Sequence, residues 1–320
     1  MMGRIAFMGD RVVVYGLGKV FHKNKSKILE RYNVIGFSDK NKSKCPTELN
    51  YIAWETLQER ANEYDVLLVT AQPIVIIPDL VNNLDIPIEK IRVFSYDAVN
   101  YLQDSVEFYG EHLEDAAVML LLKMLNYDLK KVKYLEIGTN DPVGGNNSFN
   151  LYRCGARGLL VDPLPGVRYA VNLSRPEDEF LQAAVTDQYH GEKISFFECQ
   201  NSGLSSLSLE HRDKWNNIVE NDVQEIKVDL LGINDILGSL DFEPDVILVD
   251  AEGEDGKIVR GIEYEKYHPA ILLIEVYDMS GEEYYDLVEF MNSKGYVRYT
   301  TIENTNAIFV LKEKFSLMKG

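Results

Sequence analysis

Short apolar segments that alternate with helix-forming segments along the whole sequence predict an α/β protein. The chain has 320 residues, a length typical of two domains, and 46% of its residues are hydrophobic. Most apolar segments are followed by glycines or acids and then by a helical segment, which is the βαβ pattern of a parallel sheet. We therefore expect two Rossmann-like domains, at residues 1–100 and 131–320, joined by a linker helix at 101–130.

The first domain begins with a strand at Val12–Val14 and a turn, Gly16-Leu17-Gly18, that opens a helix. The turn matches the pattern GxGxxG except that Phe21 occupies the third glycine position. A second strand ends on Asp39, roughly 20 residues after the glycines, where a ribose-binding acid is expected. The remaining expected elements of this domain are strands at 65–70 and 91–94 and helices at 54–64 and 74–84.

Two interpretations of this first domain stay open. The bulky Phe21 disfavours close packing of helix on strand around a pyrophosphate, which favours a degenerate domain used for packing or partner contact. The alternative is a bound sugar nucleotide or dinucleotide. The segment resembles the Rossmann-like domain attached to many bacterial glycan-biosynthesis enzymes, and the resemblance does not specify a ligand. After it, residues 114–125 form a strongly helical segment that is apolar nearly all round, so we expect it to be buried.

The second domain is organised around a strand, a Gly-rich loop, a helix and a second strand. The first strand ends on Gly138, the loop runs through residues 139–148, and Asn147 or Ser148 can cap the helix that follows. The second strand ends on Asp162. In a doubly wound sheet such a unit places a nucleotide-like ligand at the carboxyl ends of the strands, where Asp162 can accept two hydrogen bonds from a ribose diol.

The remaining elements complete this sheet. A third strand at 182–187 has an exit loop of the kind that supplies an apolar wall for an adenine, here with Ala184 and Val185. A loop rich in small hydroxyls, residues 201–208, is either a surface linker or a lid over a site. The other expected elements are strands at 194–197, 226–229, 246–249 and 269–276, helices at 171–181, 233–240 and 282–294, and a terminal antiparallel pair at 296–300 and 306–311.

Acids follow several of these strands. The apolar strand at 246–249 is followed directly by Asp250, Glu252, Glu254 and Asp255. Such a cluster is costly by self-repulsion unless a cation, hydrogen-bond donors or water lie nearby, and a solvated acidic loop is the alternative. Glu136, Asp162 and Glu275 stand at the ends of three other strands. We expect these acids to surround one crevice.

Strands in this order, with an antiparallel pair last, are what a class I S-adenosylmethionine (SAM) methyltransferase requires. The chain from about residue 134 to 310 resembles the FkbM family of SAM-dependent O-methyltransferases. The matching segments are Glu136–Asn140, Asn146–Ser148, Gly158–Pro163, Val249–Glu254 and Leu273–Glu275. The fourth of them resembles the family's D-x-E-G-x-E motif. The sequence departs from the family pattern at Glu136, where many members have Asp, at Thr139, in place of Ala, and through the added residues Pro142–Gly145.

The resemblance implies that SAM is the cofactor and that hydroxyl groups of sugars or polyketide-like products are methylated. We expect Asp162 to hold the ribose and Glu136 and Gly138 to line the methionine arm. A sugar hydroxyl is a weak nucleophile and requires a base within hydrogen-bond reach. The predicted catalytic residues are Asp250, Glu252, Glu254 and His211. The predicted cofactor-binding residues are Glu136, Gly138, Thr139, Asn140, Asn147, Ser148, Asp162, Ala184, Val185 and Asp250.

Several alternatives stay open. We predict no metal ligands, and a divalent cation between Asp250 and Glu275 or Glu252 is an alternative that we do not favour, although hard cations take carboxylate oxygens. A second alternative is a non-catalytic two-domain component of a glycan pathway that binds SAM or a nucleotide. A third is an NAD-dependent oxidoreductase centred on residues 16–39.

Composition narrows the expected partners. The formal net charge of −18 lies mostly in the second half, which argues against a nucleic-acid partner. No apolar run reaches the roughly 18 residues that span a bilayer, and residues 1–10 do not resemble a signal peptide. The separated Cys45, Cys154 and Cys199 form no disulfide framework and indicate a reducing cytoplasm. The expected partner is a sugar, nucleotide-sugar or oligosaccharide substrate, and homo-oligomer formation stays open.

Overall fold

The computed structural model describes residues 9–46, 49–99, 108–188, 193–199 and 223–317. The chain separates into two compact units, residues 1–107 with 172–174, and residues 108–171 with 175–320. The division into a domain at 1–100, a linker at 101–130 and a domain at 131–320 stays a prediction. Within the described ranges, none of the helices has the length and apolar character that a membrane crossing requires.

The first unit contains a small parallel sheet. Its elements are β1 (Arg11–Tyr15), α1 (Lys19–Arg31), β2 (Asn33–Ser38), β3 (Val66–Val69), α2 (Pro73–Pro78), β4 (Ile91–Val93) and α3 (Phe94–Val99). The four strands lie in the order β2-β1-β3-β4 and all neighbours are parallel, as the βαβ alternation predicts. The prediction of a helix at 54–64 is wrong, because only a short 3-10 helix forms, at Trp54–Thr56. The Thr56 hydroxyl donates a hydrogen bond to the Ala53 carbonyl, and such a bond competes with the main-chain hydrogen bonds of an α-helix.

The Gly-rich turn after β1 is closely packed. Gly16 has a φ of +94°, and a Cβ there would lie 2.7 Å from the Cβ of Ala71, so the turn requires glycine. Phe21, at the third glycine position of the motif, is fully buried and contacts Phe37 edge to face at 5.7 Å between ring centroids. This residue therefore fills the core between α1 and β2.

The second unit carries most of the secondary structure. Its elements are α4 (Glu114–Met124), β5 (Lys133–Ile137), α5 (Phe149–Arg153), β6 (Arg157–Val161), α6 (Pro165–Ser174), β7 (Glu179–Leu181), β8 (Ala184–Thr186), β9 (Lys193–Cys199), β10 (Val223–Gly232), α7 (Ile233–Ser239), β11 (Val246–Val249), α8 (Asp255–Gly261), β12 (Ile271–Glu275), α9 (Gly281–Ser293), β13 (Tyr296–Ile302), β14 (Asn306–Leu311) and α10 (Lys312–Leu317).

Seven strands of this unit form one sheet in the order β13-β14-β12-β11-β5-β6-β7. Neighbouring strands are parallel throughout the series β12, β11, β5, β6 and β7. Strand β14 is antiparallel to both of its neighbours, β12 and β13. The predicted fold class is confirmed: it is an α/β fold with a large parallel sheet and a terminal antiparallel pair. The apolar strands β11 and β12 lie at the centre, where both faces are covered.

One strand prediction needs correction. The sequence predicts the third strand of the large sheet at 182–187. The strand that pairs with β6 is instead β7, at Glu179–Leu181. The next strand, β8, pairs with β10 in a separate three-stranded sheet. The main chain of Asp162 extends the pairing of β6 with β7 just beyond β7, since its N–H donates to Leu181 and its carbonyl accepts from Ala183, and the chain then leaves the sheet. The prediction of a helix at 171–181 is also wrong, because α6 ends at Ser174 and residues 179–181 form β7.

The sequence of helix α4 is apolar nearly all round and predicts a buried helix. Val118, Leu121 and Leu122 are fully buried, whereas Leu120 is 55% exposed and Met124 is 45% exposed. The helix therefore buries one face only. It belongs to the second unit, where it contacts α5.

Candidate active site

The register of the parallel strands brings four strand ends to one edge of the large sheet. Ile137 pairs with Val161 and with Val249, and Val249 pairs with Ile274. The residues that directly follow these four are Gly138, Asp162, Asp250 and Glu275. Ligands of open α/β sheets bind outside the carboxyl ends of the strands. The acids that the sequence predicts around one crevice therefore lie together.

An apolar cavity opens at this edge, beside the end of β6. Its walls include Leu164, Ala184, Val185 and Phe196, and Asp162 is the buried acid among them. Ala184 and Val185 were predicted as an adenine wall, and they line this cavity. Phe196, on β9, is a wall residue that sequence reasoning missed, because its strand belongs to the smaller sheet.

Asp162 ties the two loops at the cavity together. One carboxylate oxygen accepts the N–H of Asn140 at 2.8 Å and the other accepts the N–H of Leu164 at 2.8 Å. A carboxylate offers about four lone-pair positions, so each oxygen can accept one further hydrogen bond. Burial raises the pKa of Asp162 to about 7, the nearby Glu136 and Glu252 carboxylates add to the rise, and the two backbone N–H groups oppose it.

Gly138 allows the strand ends to approach closely. It has a φ of +81°, and a Cβ at this position would lie 1.6 Å from the carbonyl oxygen of Asp250. The N–H of Asp250 in turn donates to the carbonyl of Ile137 at 3.0 Å. Only glycine fits between β5 and β11 here, because any side chain would meet backbone atoms rather than a flexible group. The close approach places the Asp250 side chain beside the loop after β5.

A second, larger cavity adjoins the first, and we refer to it as the acidic chamber. The apolar cavity and the chamber share Ile137, Gly138, Asn140, Asp250 and Glu252 as wall residues. The carboxylates that line the chamber are Glu111, Glu136, Asp141, Asp250, Glu252, Glu275 and Asp278. No lysine, arginine or histidine is among the described residues of its wall. The chamber is therefore a site for cationic or hydrogen-bond-donating groups.

A buried arginine supports the floor of the chamber. Arg175 is fully buried, its Nε lies 2.8 Å from Asp178, and its Nη1 lies 3.6 Å from Glu136. The same guanidinium donates to Tyr134, Ser148, Asn146 and Pro142, at 2.8, 2.8, 3.0 and 3.3 Å respectively. It thereby joins β5, the Gly-rich loop and the start of α5. The sequence does not single out Arg175, since an arginine just after a helix has no local feature that distinguishes it from a surface residue.

Glu136 is held by the same group of residues. Its Oε2 accepts from Ser148 at 2.9 Å and from Asn146 at 3.1 Å. Burial raises the pKa of Glu136, and the Arg175 guanidinium and these two donors partly offset that effect. Glu136 lines the chamber, and Ser148, which does not, donates to its carboxylate.

The acidic loop after β11 has a fixed shape. Asp255 accepts the N–H of Ala251 at 2.7 Å and the N–H of Gly253 at 3.1 Å. Glu252, between them, has a φ of +50°, a left-handed conformation that is unfavourable for a residue with a side chain. The Asp255 carboxylate therefore holds the strained loop so that Glu252 lines both cavities.

Asp250 and Glu275 form a carboxyl pair at the ends of the adjacent strands β11 and β12. Each carboxylate interacts with the other, and neighbouring like charges disfavour ionisation of both groups. Burial raises the pKa of both groups, and the Glu252 and Asp255 carboxylates raise them further. The sequence shows Glu275 as an acid at a strand end, but its position beside Asp250 depends on the order of the strands in the sheet.

The predicted catalytic residues are placed differently. Asp250 and Glu252 line both cavities. Glu254 is absent from both walls and pairs with Lys257 at 2.8 Å. His211 lies outside the described residues. Of the predicted cofactor residues, all except Ser148 line one cavity or both: Glu136, Gly138, Thr139, Asn140, Asn147, Asp162, Ala184, Val185 and Asp250. Their roles in binding and catalysis stay predictions.

Two side-chain oxygens at the chamber fit a polar ligand. Thr139 Oγ1 and Asn147 Oδ1 are buried without a hydrogen-bond partner among the described residues, and both residues line the chamber. An unpaired buried polar atom costs about 1–3 kcal/mol, so a ligand that bonds to these oxygens is favoured. SAM has an apolar adenine, a ribose diol and a cationic methionine end. These match the apolar cavity, Asp162 and the acidic chamber in turn.

The first unit repeats one detail of this site. Asp39, at the end of β2, accepts the N–H of Leu17 at 2.7 Å and the N–H of Asn41 at 2.8 Å. The Asp162 carboxylate is held in the same way. In each unit the acid accepts one N–H from the loop after the neighbouring strand, β1 or β5, and one N–H from the residue two positions after the acid itself. The nucleotide-binding and packing interpretations of this unit both accommodate this arrangement.

Among the parts of the chain that are described, no group of three or more metal-ligating side chains is arranged around a common point.

The chain is similar to one family model and to several solved structures. The model of the methyltransferase FkbM domain matches residues 136–298, just over half of the chain. No curated protein matches the sequence. A TehB-like SAM-dependent methyltransferase from Corynebacterium glutamicum is similar in structure, with a TM-score of 0.34 and 13% identity over 68% of this chain and 96% of that one. The 1,6-didemethyltoxoflavin-N1-methyltransferase of Burkholderia thailandensis, solved with S-adenosylhomocysteine, has a TM-score of 0.33 and 11% identity over 75% of this chain and 89% of that one.

The chain belongs to the FkbM methyltransferase family, because the family model covers more than half of its residues. It is a SAM-dependent methyltransferase. The predictions of family, enzyme class and cofactor are confirmed.

Proposed function

We propose that this FkbM-family methyltransferase methylates a hydroxyl group of a sugar or glycan. The observation that carries the proposal is the position of Asp250 and Glu252, which line both the apolar cavity and the acidic chamber. A base at the boundary between a cofactor cavity and an open, polar chamber is what a weakly nucleophilic hydroxyl requires. Polar wall residues of the chamber, such as Asn140 and Asn147, suit a ligand rich in hydroxyls.

In this proposal the cofactor is held by residues of both cavities. The apolar walls at Ala184 and Val185 would contact the adenine, and the two free lone pairs of Asp162 would accept the ribose diol. Thr139 and Asn147 would bond to the methionine end, whose positive charges the chamber carboxylates stabilise. When bound, SAM supplies a methyl group on a sulfonium, which reacts by in-line displacement.

The protein's part in the reaction is positioning and proton removal. Fixing an acceptor against its reaction partner supplies much of the acceleration of a displacement. Asp250 or Glu252 accepts the hydroxyl proton as the oxygen forms its new bond. In this step the positively charged sulfonium becomes a neutral thioether, and the negatively charged carboxylate becomes a neutral carboxyl group. The net charge of the site is therefore the same before and after the reaction, so the acidic site suits both the substrates and the products.

Two variants test these roles. Asp250→Asn and Glu252→Gln should each lower methyl transfer to a panel of sugars and oligosaccharides by about 100-fold or more, which is the usual contribution of a general base. Their affinity for S-adenosylhomocysteine, measured by calorimetry, should change much less. Asp286→Asn removes an exposed carboxylate of α9, away from the cavities, and serves as the matched control. Turnover close to wild type in both site variants would exclude these carboxylates from proton removal.

A further inference from the structure

Arg175 lies behind the wall of the acidic chamber and contacts a residue of that wall. Its side chain is fully buried, and it belongs to neither of the two cavity walls as described. Glu136 does line the chamber, and its Oε2 lies 3.6 Å from Nη1 of Arg175. Any effect of the guanidinium on a ligand in the chamber must therefore be transmitted by its neighbours.

Two polar side chains connect Arg175 to Glu136. The Ser148 hydroxyl accepts from Nη2 of Arg175 at 2.8 Å and donates to Glu136 Oε2 at 2.9 Å. The Asn146 Oδ1 accepts from Nη1 of Arg175 at 3.0 Å, and its Nδ2 donates to the same Oε2 at 3.1 Å. Because a guanidinium can only donate, it engages the oxygen of each connecting group and leaves the O–H of one and the N–H of the other for Glu136.

The two oxygens of the Glu136 carboxylate therefore have different surroundings. The ion pair and both hydrogen bonds meet Oε2, whereas Oε1 has no hydrogen bond within the described parts of the chain. Glu136 is only 4% exposed, and the space that it faces is the chamber. A buried carboxylate oxygen without a donor is unfavourable, so a donor from a ligand in the chamber is favoured.

The same contacts favour the ionised form of this carboxyl group. Burial raises the pKa of Glu136 and the Asp178 carboxylate raises it further, whereas Arg175, Asn146 and Ser148 lower it. Loss of the guanidinium would therefore favour the neutral carboxyl group, which attracts an ammonium group much less than a carboxylate does.

We propose that Arg175 is a positioning residue for the methionine end of the cofactor, and that it acts through Ser148 and Asn146 by holding Glu136 with Oε1 toward the ammonium group. This role rests on the placement of the cofactor proposed above. None of these four residues is in the described wall of the apolar cavity. Arg175 should therefore affect the binding of the amino-acid end and leave the binding of the adenosine part unchanged.

The test compares two ligands that differ only at the amino-acid end. S-adenosylhomocysteine carries this end, whereas 5′-methylthioadenosine has the same adenosine and thioether sulfur with a methyl group in its place. Both are titrated calorimetrically at a pH below the pKa of the amine. A hydrogen bond to a charged group contributes about tenfold to a hundredfold in affinity. Wild-type protein should therefore prefer S-adenosylhomocysteine by about tenfold or more.

Variants of the buried network should change this preference. Arg175→Met should reduce it by about tenfold, and Arg175→Lys, which keeps a positive charge, should reduce it less. Ser148→Ala should reduce it by about threefold, the effect of one ordinary hydrogen bond, although Ser148 lines neither cavity. Affinity for 5′-methylthioadenosine should stay within about twofold of wild type in all of them.

Arg157→Lys is the matched control. Arg157 begins β6, at the amino end of the strand, and donates to the main-chain carbonyls of Tyr152 at 3.2 Å and Ala156 at 2.6 Å. It belongs to neither cavity wall as described. Both ligands should bind this variant as they bind wild type.

A double-variant cycle shows whether Arg175 acts through Glu136. Glu136→Gln should remove most of the preference by itself. Adding Arg175→Met should then change the ratio of the two affinities little, because the carboxylate that the arginine holds is already gone. A purely structural role of Arg175 would instead lower both affinities by a similar factor, in the presence of Glu136 and in its absence.

The outcomes distinguish this role from the proposed function. Equal affinities of wild-type protein for the two ligands, or no binding of S-adenosylhomocysteine, would overturn the placement of the cofactor and the role of Arg175 with it. A wild-type preference that persists in Arg175→Met and Ser148→Ala would overturn only the role of Arg175, as would an equal fall in both affinities. If Arg175→Met does not fold, Arg175→Lys and Ser148→Ala decide by the same criteria. No sugar is present in these titrations, so a failure to methylate sugars would not alter their result.

Discussion

Replacement of Arg175 by methionine tests the buried ion network under the active site. Methionine keeps much of the length of the side chain but removes the charge and all the donors. The guanidinium is fully buried and contacts two carboxylates, Asp178 at 2.8 Å and Glu136 at 3.6 Å. Removal of one partner from a buried ion pair typically costs 3–5 kcal/mol, because the other charge is left uncompensated in the interior.

The structure indicates the lower end of that range. Asp178 keeps two other donors, the Tyr134 hydroxyl at 2.6 Å and the Gly158 N–H at 3.0 Å. Burial already raises the pKa of Glu136, so this carboxyl can take up a proton when its cation is removed. We therefore expect a loss of about 3 kcal/mol in the free energy of unfolding. For a unit of this size, that loss corresponds to a fall in Tm of about 6–12 °C.

Differential scanning calorimetry measures this shift and separates the unfolding of the two units if they melt independently. Arg298→Met is the matched control, since Arg298 is exposed and donates to Tyr284 at 3.2 Å, and it should change stability by less than about 0.5 kcal/mol. Adding Glu136→Gln to Arg175→Met should restore part of the lost stability, because the uncompensated carboxylate is then gone. A shift in Tm for Arg175→Met no larger than that of the control would refute the network.

Three further predictions concern the strand ends. Gly138→Ala should destabilise the protein by more than the ~1–2 kcal/mol of a left-handed residue, because its Cβ meets the Asp250 carbonyl at 1.6 Å. Gly281→Ala, where a Cβ has no neighbour within 4 Å, should have little effect in the same denaturant titration. Calorimetric affinity for S-adenosylhomocysteine should rise with pH through about 7, the pKa to which burial raises Asp162, because only the ionised carboxylate accepts both ribose hydroxyls. Asp162→Asn should bind more weakly and lose that dependence, and a wild-type affinity independent of pH would contradict the assignment. The pKa of Asp162 in the folded protein, about 7, exceeds its value of about 3.9 in the unfolded chain. The contribution of this group to the free energy of unfolding is therefore full below about pH 4 and is lost as the pH rises through 7. The slope of that loss is at most about 1.4 kcal/mol per pH unit. Asp162→Asn should flatten that part of the stability profile, and an unchanged slope would count against the buried carboxyl.

Residues at the ends of apolar segments could be predicted from the sequence. Gly138, Asp162 and Asp250 each follow directly on a short apolar run, and parallel strands must bring such positions to one edge. The alternation of strands and helices likewise specified the large sheet and its terminal antiparallel pair. These features depend on local periodicity, which a single sequence displays.

Features that depend on distant contacts could not be predicted. Arg175 and Glu136 are 39 positions apart in the sequence, and no local sequence feature around either residue indicates that they form an ion pair. The separation of β7 from β8 depends on which strand each of them pairs with, and the apolar pattern of 182–187 does not indicate those partners. Phe196 lines the apolar cavity because the small sheet lies beside it, and its strand shows no motif.

A crystal structure with S-adenosylhomocysteine is the most direct test of the central claim. The adenine should lie in the apolar cavity beside Val185, and both ribose hydroxyls should lie within hydrogen-bond distance of the Asp162 carboxylate. Density for the ligand at the turn between Gly16 and Asp39, with side chains filling the cavity at the end of β6, would contradict the account.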